Sequence, residues 1–191
     1  MAKVLILNHQ HVQCGIFQFG KRVYELSSKS YKVNYFYRIV SNREDYLNVL
    51  QQVNPDFIIY NYHFNRMPWL LETDITENKK VKHYFIYHDG SIMNIYDKYL
   101  MFGDYSPHGK NIPEDKKIIL PRPLFNYSGD YPENKVFTIG SFGFAFSNKG
   151  FPELVRLVNE TLSEAVINIH LTSPYFGDTV NHVLSDIMDQ C

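Results

Sequence analysis

The chain reads as an α/β protein: a Rossmann-like parallel sheet with helices on both faces, followed by an incomplete second α/β unit. Two observations predict this. Short apolar runs that suit buried strands alternate with segments whose apolar residues recur at helical spacing. A polar stretch, residues 126–134, holding Gly129 and Pro132, then precedes a second region with only two strand–helix pairs. The expected division is residues 1–130 for the first domain and 131–191 for the truncated start of a second. The second is called incomplete because a doubly wound sheet needs more strands to bury both faces.

Residues 4–7, Val-Leu-Ile-Leu, make the first strand. A polar loop follows, and then Ile16, Phe19, Val23 and Leu26 mark a helix over residues 16–28. Residues 33–40 are β-branched and aromatic, a second strand. Ser41 and Glu44 fit a capping box that starts a second helix, with Tyr46, Val49, Leu50 and Val53 as its apolar stripe and Pro55 as its stop. Residues 57–60 form a third strand, 67–77 a weaker helix and 83–87 a fourth strand. Residues 91–113 lack a period and hold Gly103, Pro107 and Gly109, so they read as a short helix and a loop. Residues 117–120 are a fifth strand. In the second region, residues 136–139 are a strand, 140–150 a loop, and Pro152 sits in the first turn of a helix carrying Leu154, Leu157 and Val158. Residues 166–171 are the next strand, and Val180, Val183, Leu184 and Ile187 mark the last helix.

Composition narrows the function. Among 191 residues, 45% are apolar and 20% charged, the balance of a soluble globular protein. With a net charge of −1 and no basic stripe, nothing attracts nucleic acid. The two cysteines, Cys14 and Cys191, make neither a disulfide framework nor a zinc site and read as free thiols of a cytoplasmic protein. No transmembrane segment is expected, since the apolar N-terminal run is far too short to span a bilayer, which leaves room only for peripheral membrane contact.

Ligands of open parallel sheets bind beyond the carboxyl ends of the strands. The loops there carry Asn8-His9-Gln10-His11, Asn61-Tyr62-His63 and His88-Asp89-Gly90. Imidazoles can hydrogen-bond hydroxyls or shuttle protons near neutral pH. His11, His63 and His88 are therefore candidate site residues, with Asp89 beside His88. Residues 15–21 match the G-x-x-x-x-G-K spacing of a phosphate loop, but residue 22 is Arg where a magnesium-binding Ser or Thr is needed, and the bulky residues between sit at helical spacing. The better reading is a helix N-terminus at Gly15 whose free N–H groups face a ligand. No metal site is expected: D-x-D is absent, and His9 and His11 lack a third ligand. Lys149 and Gly150 precede a helix, where a lysine can neutralise a diphosphate.

Three segments resemble the GT-B glycosyltransferases, and among them the retaining family 4 (glycosyltransferase group 1). KVLILNHQHVQCGIFQFGKRVYE, from residue 3, is similar to that family's opening strand, glycine-containing loop and first helix. IYHDG, from residue 86, resembles its His-Asp pair after a late strand. FTIGSFGFAFSNKGFPEL, from residue 137, resembles the strand, loop and Lys-Gly that open its donor-binding domain. The resemblance implies transfer of a sugar from a nucleotide diphosphate sugar, such as a UDP- or GDP-sugar, to a glycan or other acceptor, with the anomeric configuration retained and with no cofactor or essential metal. It implies catalytic roles for His88 and Asp89 and donor or acceptor contacts for Gly15, Lys149 and Gly150, to which the loop reading adds His11 and His63. Gly15 would lie near the donor phosphates or the acceptor, His88 against the donor sugar and Lys149 against the diphosphate.

The sequence departs from the family pattern at Phe144, where an Arg is usual, and the acidic motif that binds the nucleotide ribose is expected downstream of Cys191. The chain is accordingly read as a fragment or a degenerate member with an incomplete donor site. Two other readings stand beside it: a non-catalytic carbohydrate- or nucleotide-binding module of the same fold, and a phosphate-loop NTPase, which would need Lys21.

Overall fold

The computed structural model describes residues 1–12, 14–88, 95–102, 111–122, 135–162, 164–172 and 180–191. The chain divides into two compact units, Met1–Asn126 and Tyr127–Cys191.

The first unit is built on six parallel strands: β1 (Lys3–Asn8), β2 (Asn34–Ile39), β3 (Phe57–Tyr60), β4 (Lys82–Tyr87), β5 (Lys98–Phe102) and β6 (Lys117–Leu120). Their order across the sheet is β2-β1-β3-β4-β5-β6. The chain steps outward from β1 to β2, then returns to the other side of β1, so the topological switch lies between β1 and β3. Helix α1 (Gly15–Ser27) joins β1 to β2, α2 (Arg43–Val53) joins β2 to β3, and the short α3 (Glu72–Thr76) precedes β4.

Period-2 alternation along the strands creates two cores. Leu5, Leu7, Ile58, Tyr60, Phe85, Tyr87, Tyr99 and Met101 point to one face, where Tyr46 and Val53 of α2 and Ile75 of α3 cover them. Val4, Ile6, Ile86 and Leu100 point to the other, against Val23 of α1 with Phe19 and Tyr24 packed beside it. The parallel sheet with helices on both faces is therefore as the sequence led one to expect.

Several details differ. The second helix is capped one residue later than expected: the side chain of Asn42, not Ser41, accepts the Asp45 N–H at 2.9 Å, and the Asp45 carboxylate reaches back to the Ser41 N–H at 3.2 Å. Asn54 closes this helix in the left-handed region at φ 44°, a conformation asparagine tolerates. The weak helix expected over residues 67–77 shrinks to α3, because Met67 precedes a proline and Leu71 is extended at ψ 152°. The segment read as short helix and loop contains β5 instead; Lys-Tyr-Leu-Met-Phe is buried on both faces and so shows no alternation. Residues 91–94 and 103–110 of that segment, and the linker candidate 126–134, lie outside the described residues.

The second unit contains a parallel pair, β7 (Thr138–Phe144) and β8 (Val166–Thr172), with helices α4 (Phe151–Thr161) and α5 (Val180–Met188). Phe151 and Val155 of α4 and Val183 and Ile187 of α5 bury Ala145 and pack Ile167, Ile169 and Leu171 of β8. Strand β7 runs well beyond the residues 136–139 assigned to it from sequence and takes in part of the expected loop; its two glycines hide the strand pattern. Pro152 does stand in the first turn of α4.

Candidate functional site

Strands β1 and β3 are neighbours with Leu7 opposite Tyr60, so the next residues, Asn8 and Asn61, meet at the same level of the sheet. Both are fully buried. A buried primary amide must satisfy its donors and acceptor or lose stability, and these two do so through each other and through helix α1. Asn61 Nδ2 donates to Asn8 Oδ1 at 2.9 Å and to the Ile16 carbonyl at 2.6 Å. Asn8 Nδ2 donates to the Phe17 carbonyl and to the Tyr37 hydroxyl, both at 2.8 Å. Asn8 Oδ1 also accepts the His9 N–H at 3.0 Å. The pair thus ties the first turn of α1 to the carboxyl ends of two strands.

On this base stand the histidines. Asn61 Oδ1 lies 2.8 Å from His88 Nε2, and the His88 ring meets Phe19 of α1 edge-on at 5.1 Å. His9 is fully buried. Its Nδ1 accepts the His11 N–H at 3.1 Å, so its proton sits on Nε2, which has no hydrogen-bond partner among the described residues. Around the His9 ring are His63 at 5.5 Å, Phe17 at 5.8 Å and His11 at 5.9 Å. Burial pushes the His9 pKa down to about 4, and the positive forms of His63, His11, Arg66 and His88 push it the same way. His9 is therefore neutral at pH 7 and offers a donor rather than a charge. His63 Nδ1 accepts the Asn65 N–H at 3.2 Å, which holds the start of the following turn.

Helix α1 enters this cluster with its N-terminus. Its N-cap, Cys14, is extended and makes no side-chain cap, and no acidic residue stands in the first turn. The first N–H groups are thus left for water or for a ligand. Gly15, singled out from the sequence, is the first residue of α1 and is exposed; a Cβ there would meet nothing within 4 Å. Gly20 is the glycine that packing demands, because a Cβ on it would lie 2.3 Å from Asn61 Nδ2. Its place in the G-x-x-x-x-G-K spacing thus has a steric cause: the segment is helix from Gly15 onward.

Of the residues proposed from sequence, His11, His63 and His88 lie at the carboxyl ends of β1, β3 and β4, with Gly15 at the adjoining helix N-terminus. Asp89 lies outside the described residues. Lys149 and Gly150 belong to the second unit. Lys149 is exposed at the end of a 3-10 turn (Ser147–Lys149), and Gly150 takes a left-handed φ of 71° at the N-cap of α4, a conformation that favours glycine. Sequence reasoning placed Asn8, His9 and Asn61 in the candidate loops without singling them out as site residues, and met Gly20 only in the phosphate-loop spacing. One signal could have found the amides: Leu5-Ile6-Leu7-Asn8 and Ile58-Ile59-Tyr60-Asn61 are two apolar runs that each end in asparagine.

Among the described residues no group of three His, Cys, Asp or Glu side chains is arranged to hold a metal, and no helix is long and apolar enough to cross a membrane.

No protein-family model matches the chain, and no curated protein matches it in sequence. Among solved structures, the S. aureus MnaA–UDP co-structure aligns over 99% of this chain with a TM-score of 0.61 and 9% identity. The chain spans 65% of that protein's length. CobK precorrin-6A reductase aligns over 100% of this chain and 97% of its own at 13% identity, but its TM-score of 0.33 carries no argument. At such identities the likeness to MnaA is one of fold, and it agrees with the Rossmann-like architecture seen here.

Proposed function

We propose that the chain handles a nucleotide diphosphate sugar, and that its reaction is transfer of the sugar to an acceptor. The observation that carries this reading is the convergence of Asn8, His9, Asn61, His63 and His88 beyond the carboxyl ends of β1, β3 and β4, beside the uncapped N-terminus of α1. This is where an open α/β sheet takes its ligands. Imidazoles suit sugar hydroxyls, and helix N-terminal N–H groups suit a phosphate. The fold match to a protein solved with UDP supports the choice of nucleotide.

In this reading His88 contacts the donor sugar, with Asp89 beside it. Gly15 and the α1 N-terminus face the phosphates or the acceptor, and His11 and His63 line the same rim. Residues 1–130 form the acceptor-side domain, residues 131–191 open the donor-binding domain, and Lys149 with Gly150 meets the diphosphate. The protein works in the cytoplasm without a cofactor or a resident metal.

Calorimetry with UDP, GDP, UDP-glucose and GDP-mannose tests the reading. One nucleotide series should bind, its sugar form more tightly than the bare nucleotide. His88→Ala should remove the extra affinity that the sugar confers and leave bare nucleotide binding in place. Equal loss of both, or no binding by any of the four, would refute it. Incubation with an acceptor mixture then separates transfer from binding alone, by release of free nucleotide diphosphate.

A further inference from the structure

We infer that His9 is a phosphate contact: its buried Nε2–H and the open N-terminus of α1 together take a diphosphate oxygen of the nucleotide sugar. The inference rests on the nucleotide-sugar reading and decides which end of that ligand lies at α1.

His9 Nδ1 is occupied by the His11 N–H at 3.1 Å. With a pKa of about 4 the ring is neutral at pH 7, so Nε2 carries its one hydrogen. That hydrogen points away from the His11 amide, because the two nitrogens of an imidazole face nearly opposite ways. It meets no acceptor among the described residues, and no solvent reaches it. A buried donor left unpaired weakens the fold, and an acceptor brought by a ligand removes that penalty.

The same corner of the fold offers further donors. The Gly15, Ile16 and Phe17 N–H groups bond to no backbone carbonyl among the described residues, and Cys14 makes no side-chain cap. Phe17, the third residue of α1, sets its ring 5.8 Å from that of His9, which puts the orphan donor beside the first turn. The charges acting on His9 are His63, His11, Arg66 and His88 in their positive forms; among the described residues no carboxylate opposes them, and none stands in the first turn of α1. Donors gathered in a positive field suit an oxyanion, which has lone pairs for each of them, better than a hydroxyl. Because Nε2 is closed to solvent, a ring flanking His9 must turn aside as the ligand enters; His11 and His63 are the half-exposed ones.

Nitrogen-15 NMR of the histidine-labelled full-length chain tests this on the unmodified protein. The His9 signals are identified by their loss in His9→Gln or, should that variant not fold, by nuclear Overhauser contacts from Nε2–H to the Phe17 ring. The Nε2–H signal should move on addition of UDP and stay still with uridine. In His9→Phe, which has no donor, UDP affinity measured by calorimetry should fall about tenfold. His9→Gln can accept the His11 N–H and still donate, and should bind UDP within about threefold of the unmodified chain. A signal unmoved at saturating UDP, or moved equally by uridine, would overturn the inference. So would an unchanged UDP affinity in a folded His9→Phe. Should the unmodified chain bind no nucleotide, the nucleotide-sugar reading falls, and inorganic pyrophosphate decides the role of His9 on its own: a moved His9 signal upholds the phosphate contact and an unmoved one ends it.

Discussion

Gly20 and Asn61 meet across a gap that only a bare Cα allows: a Cβ on Gly20 would stand 2.3 Å from Asn61 Nδ2, 2.6 Å from its Cγ and 2.9 Å from Asn8 Nδ2. None of these atoms is the end of a flexible chain, because both amides are buried and fully engaged. Gly20→Ala should therefore destabilise the protein by about 2 kcal/mol, although alanine is the better helix former by about 1 kcal/mol. Gly15→Ala, at the open end of the same helix, should change stability by no more than about 0.5 kcal/mol. Urea unfolding of the two variants checks this, and equal effects would contradict the packing described.

Stability should depend on His9. Its pKa is about 4 in the folded chain against 6.5 in the unfolded one. Above pH 6.5 neither state binds the proton and the full stability is present. As pH falls the unfolded chain takes up the proton first, so stability drops progressively until about pH 4, by at most about 3 kcal/mol from this residue. Unfolding measured at pH 7 and pH 4.5 should show the loss, and His9→Gln should flatten it.

A directional chain of hydroxyls crosses the core on the far side of the sheet. The Tyr46 and Tyr60 hydroxyls are 3.0 Å apart, Tyr60 lies 2.9 Å from His83 Nδ1, and His83 Nε2 lies 3.0 Å from the Asn78 carbonyl. The carbonyl fixes the proton on Nε2, so Tyr60 donates to Nδ1 and accepts from Tyr46. Tyr60→Phe strands groups on both sides and should cost about 2–3 kcal/mol; Tyr46→Phe removes only the outer member and should cost about 1 kcal/mol. Thermal unfolding ranks the two, and the reverse order would contradict the direction assigned.

The cap of α2 gives a sharper contrast. Asn42→Ala should cost about 1 kcal/mol, because it removes the acceptor for the Asp45 N–H, whereas Ser41→Ala should fall within about 0.5 kcal/mol of zero. Chemical denaturation of both variants distinguishes the observed cap from the Ser41–Glu44 box that the sequence suggested.

These contrasts show where sequence reading reached and where it stopped. Alternation and helical spacing located β1 to β4, α1 and α2, because each buries one stripe or one whole run and leaves that pattern in the residues. Strand β5 escaped because burial on both faces erases alternation, and the part of β7 beyond Ile139 escaped because Gly140 and Gly143 leave gaps in it. At the site, histidines advertise chemistry by type alone, so His11, His63 and His88 were legible. Asn8 and Asn61 were not, since their role depends on register between strands about fifty residues apart in sequence. Gly20 was visible only as part of a phosphate-loop spacing, when what it reports is the volume of an amide across the helix.

The contact between Gly20 and the two asparagines also has a use in tracing ancestry. Positions 8, 20 and 61 are set by one another's volume and polarity, so a descendant that gives the helix a larger residue at 20 must shorten the amide at 61 or abandon it. Among sequences too diverged for overall identity to decide, that linked triplet is a character by which kinship can still be scored.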